Sequence, residues 1–330
     1  MRLMSNGLIA FLLGVGLASG AGAADGSSPF RFAAVGEKSL GLWEGEKPVL
    51  VYNYGLMSQA GVPARFNRSS YVHPLYGLDG EVLTEDFPKD HYHHRGVFWA
   101  WPHVGVGGKK YDLWIPSGIG HRFERWLGQR VTANAAILGV ENGWYVGEKK
   151  VVNETLWIVT HPATADGRAI DFELTWAATD EPVTLQGAEG KSYGGFTIRY
   201  NTRPREKGGI PEKEILITVP SGRADKDLAM TRLPWADLTG PFAPERKLSG
   251  AAIFIDPAHP GYPPMWLTRH YGCLCVGWPG VQPGTLEPGK PVRCGYRVWV
   301  HRGEPGLAQL ASEYEAYKSR PRTPPDAAPR

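Results

Sequence analysis

Apolar and polar side chains alternate with a period of two over much of this chain. In Asp171-Phe172-Glu173-Leu174-Thr175-Trp176 the even-numbered residues are apolar and the odd ones polar, which predicts a strand with one face on a core and one toward water. Asn153-Glu154-Thr155-Leu156-Trp157-Ile158 carries apolar residues on both faces further along, and Asp166-Gly167 between the two runs is a hairpin turn signal. Shorter strand-like runs, bounded by Gly, Pro or charged residues, fall at 32–35, 40–43, 49–54, 195–200, 215–219, 251–255, 273–277 and 293–301. Helical spacing is convincing only over 306–317, where Leu307, Leu310, Ala311, Tyr314 and Tyr317 share one face. That helix is expected to cover a sheet edge or face.

The pattern predicts an all-β chain: one large antiparallel β-sandwich domain over 30–317 with a short C-terminal helix. Composition agrees, since 42 Gly, 28 Pro and 12 Trp suit many short strands joined by tight turns. Residues 318–330 are Pro-rich and polar and are expected to be disordered. The first residues, Met1-Arg2-Leu3, an apolar run from Leu8 to Ala18 and the small residues Ala21-Gly22-Ala23, read as a signal peptide over 1–23. The run is shorter than the about 20 residues that span a bilayer, and no second one is long enough. A periplasmic or secreted chain with no membrane span is the expectation.

The formal charge of +3 is small, and acidic residues are mixed among the basic ones. Lys149-Lys150 and the Arg122/Arg125 pair are read as solvated surface, so nucleic acid is not an expected partner. Cys273, Cys275 and Cys294 allow two readings: a bridge from Cys294 to one of the others, or three buried free thiols.

Chemistry concentrates between His73 and His103, a stretch holding five of the ten histidines. It contains His73-Pro74-Leu75-Tyr76, then Asp90-His91-Tyr92-His93-His94-Arg95-Gly96, then Trp99 and His103, and His91, Trp99 and His103 are expected to bind substrate, Trp99 lining a sugar site. Imidazole titrates near neutrality and can move a proton or bind a metal. Read as extended chain, 91–95 places His91, His93 and Arg95 on one face with His94 turned away. His93 is then the candidate acid or base, with His73 or His94 as its partner. Asp90 would orient an imidazole, and Arg95 would stabilise developing charge. No cofactor is expected; if a divalent metal is used, His73, His91 and His93 are its candidate ligands.

Two further groups offer binding residues. Lys191, Tyr193 and Arg199 flank the Gly194-Gly195 turn, while His259, Trp266, Arg269 and Tyr271 lie in an aromatic- and Pro-rich stretch suited to stacking on sugar rings. No phosphate-binding Gly-rich loop, G-x-S-x-G elbow or H-E-x-x-H helix is present, which argues against nucleotide cofactors, serine hydrolase chemistry and zinc protease chemistry.

These strings, together with Trp235-Ala236-Asp237 and Asp256-Pro257-x-His259-Pro260 through Trp266-x-x-Arg269-x-Tyr271-Gly272, resemble the bacterial PmoA-like family, often labelled "methane oxygenase". The chain has His259 where the family pattern has Asn. The membrane oxygenase label does not suit a chain without spans. The resemblance implies a galactose-mutarotase-type supersandwich and work on carbohydrate. The expected function is an exported carbohydrate-active enzyme (epimerase, lyase or glycoside hydrolase) using histidine acid–base chemistry on a sugar or oligosaccharide. The alternatives are a non-catalytic sugar-binding protein and a metal-dependent enzyme.

Overall fold

A computed structural model describes residues 28–202 and 209–320; the expected signal peptide and residues 321–330 lie outside the described residues. Nearly every stretch read as a strand is one, within a residue or two at its ends. The run at 273–277 is the strand Cys273–Gly277, and the alternating segment is part of Gly167–Ala178.

The strands form two nine-stranded sheets and a four-stranded one. In the first sheet the spatial order is Phe30–Ala34, Ser39–Glu44, Lys47–Asn53, Tyr71–Leu75, Val97–Ala100, Gly195–Arg199, Cys273–Gly277, Met265–Arg269 and Ala229–Arg232. The second runs Gly222–Arg223, Leu216–Val219, Trp235–Gly240, Ser249–Ile255, Val292–Arg302, Gly167–Ala178, Lys149–Thr160, Ala136–Val146 and Gly120–Val131. Neighbouring strands are antiparallel throughout; for example Phe172 pairs with Ile158 on one side and Tyr296 on the other.

The two large sheets pack face to face. Ile170, Phe172, Leu174 and Trp176 are buried as their alternation predicts. From the second sheet Phe172 and Tyr296 meet Phe196 of the first, at ring separations of 5.3 and 4.4 Å. Burying one side chain of the size of Phe172 contributes about 1.5–3 kcal/mol. The Tyr200 hydroxyl donates across the interface to the Ala251 carbonyl at 2.7 Å.

A charged group sits inside this apolar core. Glu154 is fully buried, and its Oε2 accepts from the indole N–H of Trp99, Trp144 and Trp176 at 2.7, 2.8 and 2.9 Å. The Asn142 amide donates to Oε1 at 2.9 Å, and His121 Nε2 lies 3.6 Å from Oε2. Burial alone would raise the carboxyl, but His121 and the indole donors outweigh it and hold Glu154 below the ordinary carboxylate value. Trp99 comes from the first sheet and the other donors from the second, so one carboxylate fastens the sandwich.

The helix Leu307–Ser319 lies on the outer face of the second sheet, where Leu310, Tyr314 and Tyr317 cover Trp235, Phe254 and Trp299. Two residues of its expected apolar face, Leu307 and Ala311, are exposed instead, because only one side of the helix meets the sheet. The helix also runs through Lys318 and Ser319, into the stretch expected to be disordered. Arg320 then lies 3.9 Å over the Tyr317 ring. All three thiols are free and buried. Cys294 stands in the second sheet and Cys273 and Cys275 in the first, so the bridge reading is not realised.

Candidate functional site

The histidine string does not form a strand. Residues 89–90 and 92–93 are turns: the His91 N–H donates to the Pro88 carbonyl at 2.9 Å and the His94 N–H to the His91 carbonyl at 2.8 Å. A turn of this kind brings residues three apart together. His91 and His94 therefore stack, with centroids 4.6 Å apart and planes 9° from parallel. That reverses the expected grouping, in which His94 pointed away. His93 stands edge-on to both, at 4.6 Å from His94 and 5.5 Å from His91.

The other face of His91 is covered by Tyr271, at 5.5 Å and 16°. Trp114 lies 6.2 Å from His93 and 5.4 Å from His94, and Tyr193 packs on Trp114 at 4.8 Å. Asp90 Oδ2 accepts from His91 Nδ1 at 2.8 Å, with the two side chains 21% and 36% exposed. This is the one histidine of the turn that has both a carboxylate partner and clear access to water.

Arg199 anchors the turn from beneath. Its buried guanidinium donates to Asp90 Oδ1 at 3.1 Å and to Glu85 Oε2 at 3.3 Å, and lies 4.8 Å over the Tyr271 ring. It thus fixes both the carboxylate that holds His91 and the ring that stacks on it. Arg95, the expected charge stabiliser, is fully buried elsewhere. It donates to Asp86 Oδ1 at 3.1 Å and to the Phe66 carbonyl, and sits 3.2 Å over the Phe87 ring. It braces the turn from inside and has no route to a bound molecule.

The electrostatics separate the imidazoles. Burial, then the Arg68 charge, lowers His93 to about 3. Burial, then His93 and Arg199, holds His94 well below the usual imidazole value. Both are neutral at pH 7 and can donate or accept one hydrogen bond without carrying charge. Burial likewise lowers Arg68 to about 9; its guanidinium donates to the carbonyls of Leu113 and Trp114.

Several expected site residues lie elsewhere. His73 bonds Thr84 Oγ1 at 3.1 Å, next to the Arg95–Asp86 pair. His103 is exposed at the start of the strand His103–Val106 in the small sheet, opposite Gln186. Trp99 serves Glu154 in the core, and Trp266 is fully buried with its indole on the Leu233 carbonyl. His259 is 3% exposed and its Nε2 meets the Tyr296 hydroxyl at 3.0 Å. Neither tryptophan nor His259 can line a sugar site. Lys191 is exposed on a neighbouring turn, and Arg269 donates to the Thr268 carbonyl at 3.0 Å beside Tyr271.

Among the described residues no three His, Cys, Asp or Glu side chains group as metal ligands. The conditional set of His73, His91 and His93 is not assembled. His91 and His94, though close, stack face to face, so their in-plane lone pairs do not converge on one ion. Sequence reading missed Arg68, Glu85, Asp86 and Trp114. For Glu85 and Asp86 there was a signal, the acidic pair in a polar loop; for Arg68 and Trp114 there was none.

Residues 41–315 match a family described as "Family of unknown function (DUF6807)". The chain belongs to that family. The match spans every string behind the PmoA-like resemblance, but the description it carries is the one of unknown function. No curated protein matches. Solved structures that align include a galactose mutarotase related enzyme from Lactobacillus acidophilus, at 11% identity and a TM-score of 0.36 over 82% of this chain and 97% of that one. A GalM/aldose epimerase homologue from C. elegans aligns at 9% and 0.34, over 84% and 100%. A 4-alpha-glucanotransferase from Thermococcus litoralis aligns at 10% and 0.23, over 84% and 40%. Likenesses this slight carry no functional weight. Among the described residues no helix is long and apolar enough to cross a membrane.

Proposed function

We propose that this protein is an exported, carbohydrate-active enzyme whose proton-transfer group is the Asp90–His91 pair. The observation that carries this reading is the 2.8 Å contact between Asp90 Oδ2 and a solvent-reachable His91. A carboxylate on Nδ1 fixes the tautomer and leaves Nε2 to take or give a proton at a substrate. The acid–base role first given to His93 passes to His91, because an imidazole lowered to about 3 is too weak a base to abstract a proton near neutrality. His93 instead offers a neutral hydrogen-bonding edge beside the reacting group. Tyr271 and Tyr193, both partly exposed, supply apolar rings with polar tips, a surface that suits a sugar ring, and the buried Trp114 backs Tyr193. Arg199 acts through Asp90 and Tyr271 as a positioning residue.

The test is a screen of neutral and acidic oligosaccharides for product, run on the wild type and on His91→Asn. Turnover should fall by about 10²–10⁴-fold in the variant, as for loss of a general acid or base, with the thermal melt nearly unchanged. Equal rates in the two proteins would remove His91 from the chemistry. Sugar binding by a wild type that never forms product would make the protein a binding module.

A further inference from the structure

An open cleft of about 650 Å³ lies beside the edge strand Gly120–Val131, lined by Tyr54, Leu56, Ser69, His121, Phe123 and Tyr145 among others. None of these residues belongs to the histidine turn. A ridge formed by 111–119 separates the two: Trp114 faces His93 and His94, while Gly118 and Ile119 line the cleft.

The aromatic wall is rigid. Tyr54 lies 5.1 Å from Phe123 and 5.2 Å from Trp126, and Phe123 lies 4.6 Å from Trp126. Rings braced in this way lose little freedom when a ligand packs on them. Leu56 stands at the mouth, 54% exposed. At the floor the His121 side chain is 2% exposed, and its Nδ1 has no hydrogen-bond partner in the described protein. Buried polar atoms are rarely left unpaired, and a ligand hydroxyl is one group that completes them.

Charge narrows the ligand class. Arg122 is the only lining residue with a permanent charge, and Glu148 engages it through two contacts of 2.8 and 3.0 Å while its guanidinium stacks on Tyr145 at 4.4 Å. No unpaired cation is left for an anionic group. The cleft therefore offers apolar ring faces, one orphaned imidazole nitrogen and no free charge.

We propose that this cleft is a second binding site, for an uncharged sugar unit of one or two rings. The C–H face of the sugar packs on Tyr54 and Phe123, and a hydroxyl reaches His121 and Ser69 at the floor. The site is independent of the acid–base reading of His91.

Calorimetric titration of the full chain with lactose, cellobiose and maltose, and with digalacturonate, tests it. At least one neutral disaccharide should bind and digalacturonate should not. Affinity should be reduced tenfold or more in Phe123→Ala. Leu56→Trp narrows the mouth at an exposed position, so it should abolish binding even if the Phe123 variant fails to fold. The proposal is overturned if none of the neutral sugars binds, if Leu56→Trp binds as the wild type does, or if digalacturonate binds there more tightly. Capture of an uncharged apolar probe such as N-phenyl-1-naphthylamine in the cleft, without any sugar, would equally overturn it.

Discussion

Two carboxylate–imidazole pairs in this protein make an instructive contrast. Asp90 and His91 sit on a surface turn, 2.8 Å apart, with side chains 21% and 36% exposed. Glu154 and His121 sit inside the sandwich, 3.6 Å apart and 0% and 2% exposed. The outer pair has one guanidinium behind it and open solvent before it. The inner carboxylate is surrounded by three indoles and an amide that all donate to it. The same two functional groups thus serve cohesion of two sheets in one place and, on the reading proposed above, transfer of a proton in the other. What separates them is whether the carboxylate itself faces solvent or is enclosed by donors.

That contrast breaks most readily at the inner pair. Glu154→Ala strips the acceptor from three indoles and an amide and leaves His121 without its carboxylate partner. Unfolding free energy should drop by about 3–5 kcal/mol, the range for breaking a buried pair by removing one partner, as read from chemical denaturation. A loss below about 1 kcal/mol would mean that the carboxylate is not holding the sheets together.

Trp99→Phe removes one of the three donors while keeping an aromatic ring in the core. It should cost about 1–3 kcal/mol, the loss of one hydrogen bond to a charged group, and should leave any turnover of sugar unchanged. A selective loss of sugar affinity would restore Trp99 to the binding surface from which its burial removes it.

Acidification reads the neutral imidazoles directly. His93 is lowered to about 3 and His259 to about 4, burial being the first cause for each. Below the ordinary value of 6.5 the unfolded chain binds a proton at these positions that the folded chain refuses. Stability should therefore be full above pH 6.5 and fall as the pH drops toward 4. His259→Phe should flatten part of that slope in a melting series from pH 7 to pH 4. An unchanged slope would show that His259 is not held neutral.

The smallest effect on stability belongs to the outer pair. Asp90→Asn keeps an oxygen to accept from Arg199, whose charge Glu85 still balances, and otherwise removes only the partly exposed contact to His91. It should therefore shift unfolding by less than about 1 kcal/mol while lowering turnover nearly as far as His91→Asn. A large loss of stability would recast the turn as a structural clamp.

Much of the fold is written in the period-two alternation. The parity of Phe172, Leu174 and Trp176 places the core face, whereas the inward position of Glu154 was not singled out, since its segment carries apolar residues on both faces further along. Its significance was not visible, because the three indoles that donate to it come from three different strands. The site was legible as a location but not as a geometry. Asp90 and His91 stand together in the chain and pair as neighbours; Tyr271 and Arg199 were both singled out, but only the packing of strands far apart in sequence brings them to His91. The extended reading of 91–95 failed because two local backbone hydrogen bonds close a turn there, and no alternation of apolar residues opposes it.

The anchoring of the histidine turn by Arg199 has a further consequence. That residue ends the strand Gly195–Arg199, which lies between two other strands in the middle of the first sheet. The loop carrying the imidazoles therefore inherits its orientation from the scaffold and not from its own sequence. On the proposed reading, selectivity at such a place would arise by exclusion, since a guest would have to match rings already set in position.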